Sequence, residues 1–257
     1  MKKIFLLAGV LAMLVITSCK KDKDSNNNDG NNNGGGSSKQ LKKLTKTENG
    51  ITTVYNLSYD GNKFTSFAST DNLESTAVTL DGSGNIVKME VRDHNDYSTY
   101  TYAYSNGVPV TGMVKVIHKT AGEPDETTQD DVISYTVENN RVTGIKQTMK
   151  LYDIEQTYKL TYNSNGNLEK VTAEGDEEFS VAFTYGSKKP GYPTVSKWVL
   201  DLGYTLQFYA KNEVLTAFYD FPGTQLDNTI TTKYTYDGNG FPLTSDDGET
   251  QLKYEYQ

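Results

Sequence analysis

Tyr59-Asp60-Gly61-Asn62, Leu80-Asp81-Gly82-Ser83-Gly84-Asn85, Tyr104-Ser105-Asn106-Gly107 and Val137-Glu138-Asn139-Asn140 share one pattern: a large residue, then a cluster of turn formers. The pattern returns at Tyr162-Asn163-Ser164-Asn165-Gly166, Tyr185-Gly186-Ser187, Tyr209-Ala210-Lys211-Asn212 and Tyr236-Asp237-Gly238-Asn239-Gly240. Eight units of about 24 residues therefore fill residues 40–257, and each has room for two short strands and a turn. Ahead of each turn, large residues alternate with small or polar ones. Tyr55, Leu57 and Tyr59 share one face, as do Tyr100, Tyr102 and Tyr104, and Tyr158, Leu160 and Tyr162. Val181, Phe183 and Tyr185 repeat it, and Leu252, Tyr254 and Tyr256 close the chain in the same phase. A period of two is a strand buried on one face. Asp-Gly and Asn-Gly supply the positive φ angles of a hairpin turn.

Eight hairpins predict an all-β, antiparallel up-and-down meander of about sixteen strands. The segments joining successive hairpins (69–74, 93–97, 120–131, 173–178 and 220–228) are longer and polar. Tight turns then gather at one end of the sheet and longer loops at the other. A meander of this length resolves its edges by curling or closing into a barrel. After Ile16 no apolar run has helical spacing. The chain holds 19 Tyr against 9 Phe and 1 Trp, with hydrophobic residues at 35%. A thin aromatic layer on one side of a sheet accounts for much of the tyrosine excess and, together with a polar tether, for part of the low apolar share.

The first residues have a different logic. Lys2 and Lys3 precede a thirteen-residue apolar run, Ile4 to Ile16, which is signal-peptide length and shorter than the roughly 20 residues of a membrane span. Ile16-Thr17-Ser18-Cys19 resembles a bacterial lipobox, with Ile16 where Leu is commoner. The resemblance implies cleavage before Cys19 and lipidation of Cys19, a dual acyl anchor sufficient for stable membrane attachment. Residues 1–18 are then the signal peptide. Residues 19–39 are the lipidated Cys and a tether, and residues 40–257 form the hairpin-repeat domain. The tether is Asn-, Gly- and Ser-rich, with a coil reach on the order of 25 Å. Lys20-Lys21-Asp22-Lys23-Asp24 reads either as a solvated charge cluster or as resembling a surface-export signal of some gut-dwelling Gram-negative bacteria. Loss of Lys2 and Lys3 takes the formal charge from -8 to -10, which excludes nucleic acid as a partner. The lipid anchor is the expected contact with the membrane.

The strings Tyr236-Asp237-Gly238-Asn239-Gly240-Phe241 and Tyr162-Asn163-Ser164-Asn165-Gly166-Asn167-Leu168 resemble the tyrosine–aspartate repeats of bacterial shell-forming and adhesion proteins, without the Arg that usually follows the turn Gly. The whole layout (lipobox, polar tether and tyrosine-rich hairpins) resembles a family of secreted bacterial lipoproteins of unknown function with a porin-like fold. That resemblance implies a many-stranded antiparallel barrel and carries over no functional residue. An inserted barrel needs outward apolar strands of about 9–11 residues. Here the alternating blocks are shorter and broken by Lys, Glu and Asp, and the last residue is Gln257 rather than an aromatic. The expectation is a tethered, soluble barrel, either hollow or filled.

Chemistry-bearing motifs are sparse. His94 lies in Arg92-Asp93-His94-Asn95-Asp96 and His118 at a strand end; they read as unrelated surface residues rather than a zinc site. No nucleophile elbow, phosphate loop or His-Glu-x-x-His occurs. The doublets Asp130-Asp131, Glu177-Glu178 and Asp246-Asp247 point to opposite faces if on strands, so none is a glycosidase pair by itself. Asn163 to Glu174 lacks the Gly and the leading Asp of an EF-hand loop. Trp198 and the tyrosines read better as core than as sugar platforms, and residues 188–204 depart most from the repeat. No cofactor, metal site or catalytic residue is expected. The expected role is a non-enzymatic, lipid-anchored outer-membrane or cell-surface protein binding an extracellular glycan or small apolar molecule. The alternatives are an adhesion or structural module contacting another envelope protein and, less favoured, a carboxylate-dependent glycan hydrolase.

Overall fold

The computed structural model describes residues 39–175 and 178–257. The signal peptide, Cys19, the tether up to residue 38, Asp176 and Glu177 lie outside the described residues. Seventeen strands follow one another: β1 (Leu41–Glu48), β2 (Ile51–Asp60), β3 (Lys63–Ser69), β4 (Glu74–Leu80), β5 (Ile86–Asp93), β6 (Asp96–Ser105), β7 (Val108–His118), β8 (Glu126–Glu138) and β9 (Arg141–Met149). The second half holds β10 (Ile154–Tyr162), β11 (Leu168–Gly175), β12 (Phe179–Tyr185), β13 (Val214–Asp220), β14 (Asn228–Thr231), β15 (Lys233–Tyr236), β16 (Pro242–Asp246) and β17 (Thr250–Tyr256).

Except at the junction of β14 and β15, each strand pairs antiparallel with its neighbour, and β17 returns to pair antiparallel with β1. A ring of strictly alternating strands closes that way only with an even number. The odd count resolves at Thr232. β14 pairs with β13, β15 pairs with β16, and the Thr232 amide donates to the Leu215 carbonyl at 2.9 Å. β14 and β15 are two halves of one stave, so the barrel has sixteen, the number expected, although the β1–β17 seam stands where the repeat predicts an eighth hairpin.

Turn chemistry explains the regularity. At Asp81, Asn163 and Asp237 the side-chain oxygen accepts from the amides two and four residues on, at 2.8 to 3.1 Å. Gly84, Gly166 and Gly240 then adopt φ near 80° (80°, 81° and 78°), a region that L side chains rarely enter. A register shift precedes each of these turns in the ladder. The pattern Asp/Asn-x-Ser/Asn-Gly is therefore one device, a capped turn with a bulge, used three times.

The tyrosine excess has an equally local cause. Tyr59, Tyr104, Tyr162 and Tyr185 stand last or next to last in their strands at the turn end, and each phenol donates to a carbonyl at or beside the start of the preceding strand. The acceptors are Leu41 at 2.8 Å, Ile86 at 2.7 Å, Val142 at 2.7 Å and Leu168 at 2.6 Å. Tyr236 occupies the same place and donates instead to Glu213 Oε1 at 3.0 Å. Phe would fill the same volume but leave those rim acceptors unpaired, each at a cost of about 1 kcal/mol or more.

The outward face is polar. Thr pairs bridge strands at Thr47–Thr52, Thr184–Thr216 and Thr235–Thr244, and ion pairs do so at Lys43–Glu255, Lys146–Glu155 and Lys159–Glu174. Ile51, Val110, Met113, Phe218 and Leu243 are scattered exposed exceptions on the strands. A barrel inserted in lipid presents an apolar band outward. This wall presents hydroxyls and charges, and the aromatic side faces in.

The lumen is filled. Tyr185-Gly186-Ser187 and Tyr209-Ala210-Lys211-Asn212 resemble two more tight turns in sequence, but in the structure they are the two ends of a single excursion, residues 186–213, between β12 and β13. The excursion folds back inside the wall: Val195 and Ser196 amides both reach the Phe208 carbonyl, and residues 205–208 form a 3-10 turn. Trp198, Val199, Leu200, Tyr204, Phe208 and Tyr209 are buried. They meet the wall at β3, β6, β8 and β10. Phe208 stacks on Phe64 (centroids 5.6 Å apart), Tyr204 on Tyr100 (6.0 Å), and Tyr209 meets Tyr162 edge-on (6.0 Å). Tyr102 donates to Asp201 Oδ2 at 2.7 Å and Tyr135 to the Leu200 carbonyl at 2.6 Å. The expected division between ends is also corrected. The turn end carries this longest excursion, and the other end includes two-residue turns at Asn49-Gly50 and His94-Asn95.

Candidate functional site

The plug enters the barrel beside the seam where β1 meets β17, and that junction leaves an opening. Gln40 and Gln257 exchange backbone hydrogen bonds at the seam. A cavity of about 290 Å³ lies next to it. Its framework comes from five stretches of chain: Lys39 to Leu41, Tyr59 and Asn62, the plug neck Lys189 to Thr194, Phe241, and Tyr256. The rings of Tyr59, Tyr192, Phe241 and Tyr256 give it apolar walls. Phe241 and Tyr256 meet edge-to-face with centroids 5.2 Å apart. Tyr192 is wedged edge-on against Phe208 at 6.2 Å, so the cavity wall is continuous with the plug core.

Two ammonium groups stand over the Phe241 ring, Lys39 at 5.8 Å and Lys189 at 6.0 Å from its centre. Lys39 also pairs with Asp237 at 2.6 Å. Burial alone would raise the Asp237 carboxyl, but bonds from Lys39 and the Phe241 and Asn239 amides outweigh it and hold the group below its usual range. Burial pushes the Tyr59 phenol up to about 12, so it remains a donor to Leu41 at neutral pH. The Tyr256 hydroxyl is buried and has no hydrogen-bond partner among the described residues. Cavities of this kind occur in the mouths of β-barrels, and about 300 Å³ is the small end of the range that ligands occupy.

The positions singled out from sequence fall elsewhere. Trp198 is 3% exposed and belongs to the plug core, so its ring is not offered to a ligand. His94 and His118 each bond a separate carboxylate, Asp93 at 2.8 Å and Asp96 at 2.7 Å. The hydrogen bond that His94 donates to Asp93 holds the His94 pKa above its ordinary value. Glu74, Asp93 and His94 bring ligand-type atoms within 4.8 Å of one another at the opposite end, with Glu74 already accepting from Tyr55 at 2.5 Å. Asp130 faces out to Lys150 at 2.7 Å, whereas Asp131 faces in to the Gln129 and Gln147 amides, the opposed placement that strand alternation requires. Asp246 and Asp247 cap the turn before β17. Glu178 is exposed, and its neighbour Glu177 is outside the described residues. Residues 163–167 form a hairpin turn. Region 188–204, marked by its departure from the repeat, supplies both the cavity neck and the plug. The cavity itself was missed, because its residues are scattered from Lys39 to Tyr256.

A crystal structure of a porin-like protein from Bacteroides vulgatus is similar to this chain, with a TM-score of 0.56 and 14% identity over 86% of this chain and 99% of that one. A porin-like protein from Bacteroides uniformis matches with a TM-score of 0.35 and 11% identity over 84% and 96% of the two chains, a score too low to bear on the fold. At 14% identity the first likeness concerns the fold alone, and it agrees with the antiparallel barrel described above. No protein-family model matches the chain, and no curated protein matches it.

Proposed function

We propose that this chain is a lipid-anchored protein of the bacterial envelope that binds an extracellular saccharide at the mouth of its plugged barrel. The carrying observation is the mouth cavity, where four aromatic rings frame an opening between the β1–β17 seam and the neck of the segment that interrupts the hairpin repeat. Aromatic side chains offer rigid apolar faces for sugar rings, and their hydroxyls add directional contacts. The size of the cavity suits a single terminal sugar rather than a long chain in a groove. The filled lumen supports binding at the rim in preference to passage of solutes through the barrel.

Binding rather than catalysis fits the lining. Its described residues carry amides, phenols and ammonium groups, with no carboxylate to serve as acid or base. The anchor reading rests on the resemblance of Ile16-Thr17-Ser18-Cys19 to a lipobox, which supports attachment to the outer membrane or the cell surface. The acidic chain disfavours nucleic acid. A glycan array followed by thermal-shift titration of the full chain tests the proposal. Stabilisation by a saccharide, lost in Phe241→Ala, is expected. Absence of any saccharide hit would replace this reading with an adhesion module whose ligand is another envelope protein. Turnover of a polysaccharide panel would favour the hydrolase.

A further inference from the structure

Six strands that approach the turn end carry tyrosine at their last or next-to-last position: Tyr59, Tyr104, Tyr162, Tyr185, Tyr236 and Tyr256. The first five each spend the phenol on an acceptor at the start of the neighbouring strand. Tyr256 does not. Its ring meets Phe241, at the head of β16, but its hydroxyl is buried without a partner. An unmet buried donor is costly, and natural folds retain few of them. Here the one exception among six tyrosines coincides with the mouth cavity, and departures from local consistency are expected to carry function.

The charges around it have a matching peculiarity. The chain is acidic overall, at -8, yet the cavity lining carries Lys39 and Lys189 and no carboxylate among the described residues. Asp237 neutralises Lys39. Lys189 forms no ion pair among the described residues; its amide bonds the Gly240 carbonyl, which fixes its backbone, and its ammonium lies over the Phe241 ring. The neighbouring amides are occupied, since Gln40 Nε2 donates to the Gly61 carbonyl and to Asn62 Oδ1. Among the described residues the cavity thus offers a cation without an ion pair, Lys189, and a buried phenol without a hydrogen-bond partner, Tyr256.

Resting on the saccharide reading above, we infer that the ligand is an acidic sugar residue. Its pyranose ring lies against the aromatic walls, and its carboxylate is taken by the Lys189 ammonium while the Tyr256 phenol donates to a ring or carboxylate oxygen. Charge-assisted bonds of this type are stronger than neutral ones and fix orientation. The acidic remainder of the molecule repels the same ligand elsewhere, so recognition is confined to this end.

The test uses the full chain in detergent and isothermal titration with short hexuronic acid oligosaccharides, the same oligosaccharides as methyl esters, and inorganic phosphate. The acids are expected to bind at least tenfold more tightly than the esters, with an affinity that falls as salt rises. Lys189→Met should abolish that preference, and Lys189→Arg should keep it. Tyr256→Phe should weaken the acids severalfold while leaving the melting temperature of the free protein unchanged or raised, because an unmet donor is removed. Equal binding of acids and esters, unaffected by Lys189→Met, would overturn the acidic-sugar inference and leave the saccharide reading standing. Phosphate binding as tightly as the acids would overturn it in favour of a bare anion site. No binding of acid or ester would sink both readings.

Discussion

Phe208→Ala asks whether the plug and the wall are one core. Phe208 is 0% exposed. Its ring stacks on Phe64 of β3 at 5.6 Å and meets two plug residues, Tyr192 at 6.2 Å and Tyr204 at 6.1 Å. Truncation removes contacts to wall and plug together and leaves a cavity that neither can close without moving the other. Phe→Ala in a packed core costs about 3–5 kcal/mol. In a domain of this size each kcal/mol shifts the melting midpoint by about 2–4 °C, so a fall of about 6–20 °C is expected. The assay is urea unfolding followed by two signals. The chain has 1 Trp, and Trp198 is buried in the plug, so its fluorescence reports plug docking while far-ultraviolet dichroism reports the sheet. The two curves should coincide in the wild type, as one cooperative unit requires, and shift together in the variant. A native spectrum showing a water-exposed indole would refute the filled barrel. So would a variant whose fluorescence midpoint drops while its dichroism midpoint stays.

Tyr102→Phe removes the donor to the buried Asp201 carboxylate and should cost about 1.5–3 kcal/mol, whereas Tyr135→Phe removes a bond to the Leu200 carbonyl and should cost about 0.5–1.5 kcal/mol. The order of their urea midpoints checks the assignment. Gly186→Ala would place a Cβ 2.1 Å from Glu213 Oε1 and disturb the carboxylate that holds the Lys188 amide and the Tyr236 hydroxyl, with a loss of about 1–3 kcal/mol expected in thermal denaturation. Asp131→Asn should stabilise the protein at neutral pH. Burial raises the Asp131 pKa, and the Gln129 and Gln147 bonds only partly offset it. An acid whose folded pKa lies above its unfolded value contributes stability that is complete below the unfolded value and lost as pH rises through the folded one. The gain in melting temperature should therefore vanish near pH 3, by about one unit below the ordinary Asp value; a gain of equal size at both pH values would refute the cause.

The elements that were legible in the sequence are those decided by neighbours a few residues apart. Asp81, Asn163 and Asp237 cap amides two and four positions on, so their turns follow from spacing alone. Tyr158, Leu160 and Tyr162 announce their common face by alternation. The plug was illegible for the same reason: Tyr185-Gly186-Ser187 and Tyr209-Ala210-Lys211-Asn212 obey the turn grammar locally. Only the stretch between them, with Pro190, Pro193 and no alternation, separates two hairpins from the two ends of one insertion. The mouth cavity depends on something less local still, the even parity that lets β17 close on β1 and brings Tyr256 beside Phe241 and the plug neck. Tyr59 and Tyr256 carry the same phase and follow the same pattern in sequence, yet one hydroxyl is latched to Leu41 and the other is not. In such a repeat the framework is written in the rule, and the candidate site is the unit at which a closed ring leaves the rule unmet.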